Sequence, residues 1–130
     1  MTTPSPEAES LETGVSRSTR GEVEIVTFRG AIDLGTVESF KSALNEAASR
    51  PNPKVVVVCE KINFINSTGI GALYSCHCNC QKAQGSMVLC RAPAKLRELV
   101  AMIGLEEVFV QAASEDDALT ILEANPQRDP

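Results

Sequence analysis

The stretch NFINSTGIG, Asn63 to Gly71, decides how this chain is read. Before it lies KVVVVC, Lys54 to Cys59, a continuous β-branched run of the kind that sheets bury on both faces. After it, a segment from about Thr68 to Gln84 reads as helix and stops at Gly85. A strand, a short loop and a helix therefore meet at Asn66-Ser67-Thr68. All three residue types cap helix N-termini, because a side-chain oxygen can accept from an unpaired first-turn N–H. Gly69 and Gly71 fit less easily. A glycine inside a helix costs about 1 kcal/mol relative to alanine, so two of them near the start predict that another body comes close to the backbone there. A helix N-terminus carries partial positive charge and tolerates an added anion. Spacing alone favours capping as the work of the hydroxyls. Phe64 and Ile65 are expected to anchor the loop in the core.

The neighbouring segments follow the same logic outward. In EVEIVTFRG, Glu22 to Gly30, Val23, Ile25 and Thr27 share one face and Val26 and Phe28 the other, which predicts a strand covered on part of each face. GVSRSTR, Gly14 to Arg20, predicts a short edge strand with a turn at Arg20-Gly21. The period then changes. Val37, Phe40, Leu44 and Ala47 or Ala48 form a helical stripe that starts near Gly35-Thr36 and is stopped by RPNP, Arg50 to Pro53. Downstream, SMVLC (Ser86 to Cys90) reads as a buried strand, and PAKLRELVAMIG (Pro93 to Gly104) as a helix with proline near its first position. EVFV (Glu107 to Val110) reads as a strand core. SEDDALTILEAN opens a last helix with Ser114 and an acidic first turn, Glu115-Asp116-Asp117. The order β-β-α-β-α-β-α-β-α predicts an α/β fold with a mixed, mostly parallel sheet of four to five strands and about four helices. The domain is expected at 13–124, between a disordered tail at 1–12 and a second tail at 125–130.

Composition excludes several classes. The chain has 130 residues and a net charge of −5. No basic face is available to neutralise phosphates or to adhere to anionic lipid, so neither a nucleic acid nor a membrane is an expected partner. No apolar run approaches the roughly 20 residues that a bilayer requires. The first residues, MTTPSPEAES, lack the basic and apolar regions of a secretory signal, and a cytoplasmic location is expected. The five cysteines are an odd number, and reduced thiols fit that location. Cys76, His77, Cys78 and Cys80 invite a metal, yet on one straight helix only Cys76 and Cys80 share a face. No metal, no cofactor and no hydrolytic triad around His77 are expected; buried cysteines serve as small apolar side chains. Arg91 and Lys95 read as solvated charges.

FINSTGIGAL, Phe64 to Leu73, resembles the D-S-[ST]-G-[IL]-G signature of bacterial anti-sigma-factor antagonists of the STAS-domain family. FRGAID, Phe28 to Asp33, is similar to that family's L-x-G-x-L-D. The stretch from Gly85 to Leu119 is similar to its closing strand-helix-strand-helix unit. The resemblance spans about Gly14 to Glu123. It implies a STAS-type domain with helices largely on one side of the sheet, and a switch rather than an enzyme. The unmodified antagonist binds an anti-sigma factor of the GHKL serine-kinase type and frees a sigma factor. The kinase phosphorylates the first serine of the motif and binding is lost; a metal-dependent serine phosphatase restores it. By position the phosphoacceptor is Ser67, with Thr68 as a neighbouring cap. Asp33, Asn66, Ser67, Thr68, Gly69 and Ile70 form the expected partner-binding set. The family usually has aspartate where this chain has Asn66. The alternative reading is a constitutive STAS scaffold or accessory subunit without a phosphorylation cycle.

Overall fold

The computed structural model describes residues 13–124, so both tails lie outside the described residues. Six strands and four helices appear in the order β1 (Gly14–Arg20), β2 (Val23–Ile32), α1 (Val37–Ala47), β3 (Lys54–Val58), β4 (Ile62–Ile65), α2 (Ser67–Lys82), β5 (Ser86–Cys90), α3 (Ala94–Met102), β6 (Val110–Ala112) and α4 (Glu115–Ala124). The sheet runs β1-β2-β3-β5-β6, with β4 paired to the far end of β2. Only β1 is antiparallel to its neighbour; the other pairings are parallel. No helix among the described residues is long and apolar enough to cross a membrane.

The β-branched run lies at the centre. Along β3, Val55 and Val57 face one layer while Val56 and Val58 face the other, so one strand supplies both cores. On the first face, Phe40 and Leu44 of α1, Leu73 and Cys76 of α2, and Leu96 and Val100 of α3 pack onto Phe28, Met87 and Leu89. Phe28 and Phe40 meet edge to face at 5.6 Å. On the second face, Ala118 and Leu122 of α4 cover Val23, Ile25, Val88 and Cys90. Ser114 Oγ accepts from the Asp117 N–H at 3.0 Å, the cap its position promised. Cys59, Cys76, Cys80 and Cys90 are buried free thiols. Burial pushes the Cys59 thiol up to about 12 and that of Cys90 to about 11, so both stay protonated at neutral pH.

Two elements differ from the sequence reading. The first is β4, an additional strand, which pairs Phe64 with Ala31 and Ile65 with Ile32. Its register shifts at Gly30/Ala31, where Gly30 has φ +96° and a Cβ would lie 2.6 Å from the Thr13 hydroxyl oxygen. The second is β6, which begins at Val110 rather than spanning Glu107 to Val110. The Val108 and Phe109 N–H groups both donate to the Leu105 carbonyl, at 3.0 and 3.2 Å, so this apolar run is a helical turn. Phe109 reaches the core from that turn without any strand.

Gly85 closes α2 against the start of β3. Its N–H donates to the Cys80 carbonyl at 2.7 Å, and a Cβ there would sit 1.9 Å from the Pro53 carbonyl oxygen. The obstacle is backbone and cannot swing aside. Gly85→Ala is therefore expected to lose about 3 kcal/mol in urea unfolding, the upper end of ordinary overpacking, with an unchanged m-value.

Candidate functional site

The site forms where β2 and β4 leave the sheet together. Their parallel pairing ends at Ile32 beside Ile65, so the residues that follow, Asp33 and Asn66, emerge side by side. The Asn66 N–H donates to the Ile32 carbonyl at 2.9 Å and fixes the two exits to each other. Asn66 has extended backbone (φ −87°, ψ 176°), and its Oδ1 accepts from the Gly69 N–H at 2.8 Å. Its carbonyl accepts the first helical bond, from the Ile70 N–H at 3.1 Å. Asn66 is thus the cap of α2.

Neither hydroxyl caps, which corrects the reading of Thr68 as the cap. Ser67 is the first residue of the helix and is exposed, and its hydroxyl has no hydrogen-bond partner among the described residues. Thr68 is also exposed and turns toward a hollow of about 350 Å³ shared with Lys41 and Asn45 of α1. Asp33 is exposed as well. Its Oδ1 accepts from the Gly35 N–H at 3.0 Å, and its carbonyl accepts from the Thr36 and Val37 N–H groups. Asp33 therefore sets the turn that starts α1. Leu34, next to it, is 88% exposed.

The two glycines have different reasons. A Cβ on Gly69 would lie 2.7 Å from Ile65 Cγ1 and 2.8 Å from Ile32 Cγ2, so the body that approaches this backbone is the protein's own core. Gly69 is itself buried, seated between these two side chains. Gly71 is exposed, and a Cβ there meets nothing within 4 Å. Ile70 is 5% exposed; its visible edge lines a groove of about 430 Å³ beside Ser67.

The sequence reading missed this groove. Ile65, Ile70 and Tyr74 come from the β4–α2 unit, and Leu99, Ile103 and Leu105 from α3 and the turn after it. Tyr74 and Ile103 are each nearly half exposed. Phe64 does not anchor the core as expected: it is 53% exposed and lines a neighbouring hollow of about 210 Å³ with Lys95. A lone tyrosine on a helix and an isoleucine before Gly104 were the available signals, but their adjacency is tertiary.

The cysteine-rich part of α2 divides as helical geometry requires. Cys76 and Cys80 are buried, while His77 and Cys78 are half-buried. Hydrogen bonding to Cys80, with burial, raises the Cys76 thiol well above its ordinary range. No three His, Cys, Asp or Glu side chains among the described residues are placed to hold a metal ion. His77 meets the Phe109 ring edge-on at 6.2 Å, its Nδ1 is buried without a hydrogen-bond partner, and burial lowers its pKa below 6.5.

With this geometry established, similarity to known proteins is informative. The STAS domain family model matches residues 15–118. An anti-sigma-factor antagonist from Mycobacterium paratuberculosis superposes with a TM-score of 0.75 at 21% identity, covering 93% of this chain and 99% of that one. SpoIIAA in its unphosphorylated form gives 0.72 at 16% identity, over 85% of this chain and 97% of that one. The Bacillus cell fate determinant SpoIIAA in the phosphorylated form gives 0.66 at 17%, over 82% and 97%. At such identities these likenesses are of fold.

Alanine at the two glycines separates their roles. Gly69→Ala is expected to destabilise by about 1–3 kcal/mol, because Ile32 and Ile65 must shift. Gly71→Ala is expected to be neutral or to stabilise by up to about 1 kcal/mol, since alanine favours helix and has open space. Parallel denaturant titrations check both.

His77 supplies a pH test. A histidine whose folded pKa is depressed binds its proton more weakly in the native state than in the unfolded chain. Its contribution to stability is complete above the unfolded pKa, about 6.5, and is lost as pH falls through that value toward the lower folded one. Thermal melts from pH 7.5 to 5.5 are expected to show a fall in Tm that flattens in His77→Gln.

Proposed function

Because the chain belongs to the STAS-domain family, and Asn66 takes the cap that would otherwise occupy a hydroxyl, we propose that it is an anti-sigma-factor antagonist switched by phosphorylation of Ser67. The observation that carries this reading is the unengaged, exposed hydroxyl of Ser67 at the first position of α2. In the unmodified state the end of the molecule bearing Asp33, Ser67, Thr68 and the edge of Ile70 docks on a GHKL-type serine-kinase anti-sigma factor and releases a sigma factor in the cytoplasm. The kinase transfers the γ-phosphoryl group of ATP to Ser67 Oγ; ADP leaves, and the hydroxyl proton passes to a base on the kinase. A metal-dependent serine phosphatase hydrolyses the ester to restore the hydroxyl.

Charge explains why such a change is decisive and local. The phosphate adds about −1.5 to −2 charges. The α2 N-terminus receives an anion without loss of helix, since its partial charge is positive. The docked complex does not receive it, because a dianion would have to be desolvated beside the apolar groove that Ile70, Tyr74 and Ile103 line. A penalty of about 3–4 kcal/mol weakens binding several hundred-fold.

Incubation with a cognate serine-kinase anti-sigma factor and ATP tests the proposal. Intact-mass measurement is expected to show one added phosphate, absent in Ser67→Ala, and titration calorimetry to show the phosphorylated chain binding several hundred-fold more weakly. Phosphate that persists in Ser67→Ala, or equal affinity of the two forms, refutes it.

A further inference from the structure

Two hollows adjoin between the β4–α2 unit and α3, and Ile65 and Leu99 line both. The larger, about 430 Å³, is walled by Ile70 and Tyr74 on one side and by Ile103 and Leu105 on the other. The smaller, about 210 Å³, adds Ile62, Phe64 and Leu96. Phe64, Tyr74 and Ile103 are each about half exposed. One exposed apolar side chain is ordinary, but several around one concavity mark a binding surface. The volume also fits, since clefts for small ligands span roughly 300–1,000 Å³ and are apolar with a few polar groups at the edge. Here those groups are Asn63, Ser67 and Tyr74.

Charge narrows the occupant. The chain carries 17 acidic residues and a net charge of −5, yet no carboxylate lines either hollow. The charged side chain at the trough is Lys95, which lines the smaller hollow, is exposed, and has no ion-pair partner among the described residues. We infer that the trough binds an aliphatic monocarboxylate of the fatty-acid class. The alkyl chain lies against Ile65, Ile70, Leu99 and Ile103, and the carboxylate lies at the smaller hollow, paired with Lys95. The apolar walls alone would take a neutral chain equally well; the lysine selects the anionic head. A second copy of the chain is the poorer occupant, because each copy would bring its own net charge of −5 to the contact. The inference does not depend on Ser67 being a phosphoacceptor.

Titration calorimetry of the full chain with sodium decanoate, and with 1-decanol as the neutral chain, tests this. Decanoate is expected to bind one to one with a Kd of about 100 µM or tighter. Lys95→Gln, a change at an exposed position, is expected to weaken decanoate about three- to fivefold and to leave decanol unchanged. Ile103→Asp, which places a carboxylate on the apolar wall, is expected to weaken both at least about tenfold. Circular dichroism checks that the variants fold; should Ile103→Asp fail, Tyr74→Glu on the opposite wall takes its place with the same expected loss. Absence of saturable binding up to about 1 mM decanoate, roughly tenfold above the expected Kd, overturns the inference. Equal decanoate affinity in the wild type and the wall variant overturns it as well, by placing the ligand elsewhere, and an unchanged affinity in Lys95→Gln overturns the selection of a carboxylate. Sedimentation that shows a ligand-free dimer abolished by the wall variant assigns the trough to a second copy and overturns the inference too.

Discussion

The hydrogen bond from the Asn66 N–H to the Ile32 carbonyl, 2.9 Å long, is the constraint on which the site depends. It joins the end of β2 to the cap of α2, and so sets where Ser67 stands relative to Asp33. The bond exists only in one register. If β4 slipped by one residue along β2, buried Ile65 would turn outward and exposed Phe64 inward. Gly69 would then lose its seat between Ile32 and Ile65, where no side chain fits. The helix tip is accordingly held by backbone pairing and steric exclusion together, and neither requires Ser67.

This constraint also explains what the sequence concealed. The run Lys54 to Cys59 and the stripe of α1 were legible because burial imposes a pattern on them. β4 has four residues with buried ends and an exposed middle, a pattern that matches neither alternation nor a continuous apolar run. Its partner bulges at Gly30/Ala31, which hides the pairing further. EVFV misled in the opposite direction: Phe109 is core, but a helical turn delivers it. At the site, three adjacent residues could each have capped α2, and local spacing gave no means of choosing. The choice is made by Ile32, more than thirty positions upstream, which pins the Asn66 backbone in the extended conformation a cap needs. The groove was illegible for a related reason, since its walls come from β4–α2 on one side and α3 on the other.

Rigidity behind the site follows from the layering. β3 is buried on both faces, and three helices press on one side while α4 closes the other. Four of the five cysteines fill small gaps in this structure, and Cys59 and Cys90 are kept protonated by burial. At the opposite end of the sheet, the buried Glu24 carboxylate accepts from Arg17 at 2.9 Å and Arg50 at 2.8 Å, tying the β1–β2 hairpin to the segment after α1. A charge added at Ser67 meets none of these packed groups, so its consequences remain at the surface.

The electrostatic contrast of the proposed switch then turns on Asn66. With a neutral side chain at that position, Asp33 is the one carboxylate in the expected partner-binding set. Phosphorylation takes that end from about −1 to about −3. An aspartate at 66 would start it at about −2 and finish at about −4, a smaller proportional change that a partner adapted to an acidic surface would already tolerate. The asparagine therefore concentrates the difference between the two states in the phosphate itself. It achieves this without weakening the helix, because the capping oxygen and the missing charge belong to the same carboxamide.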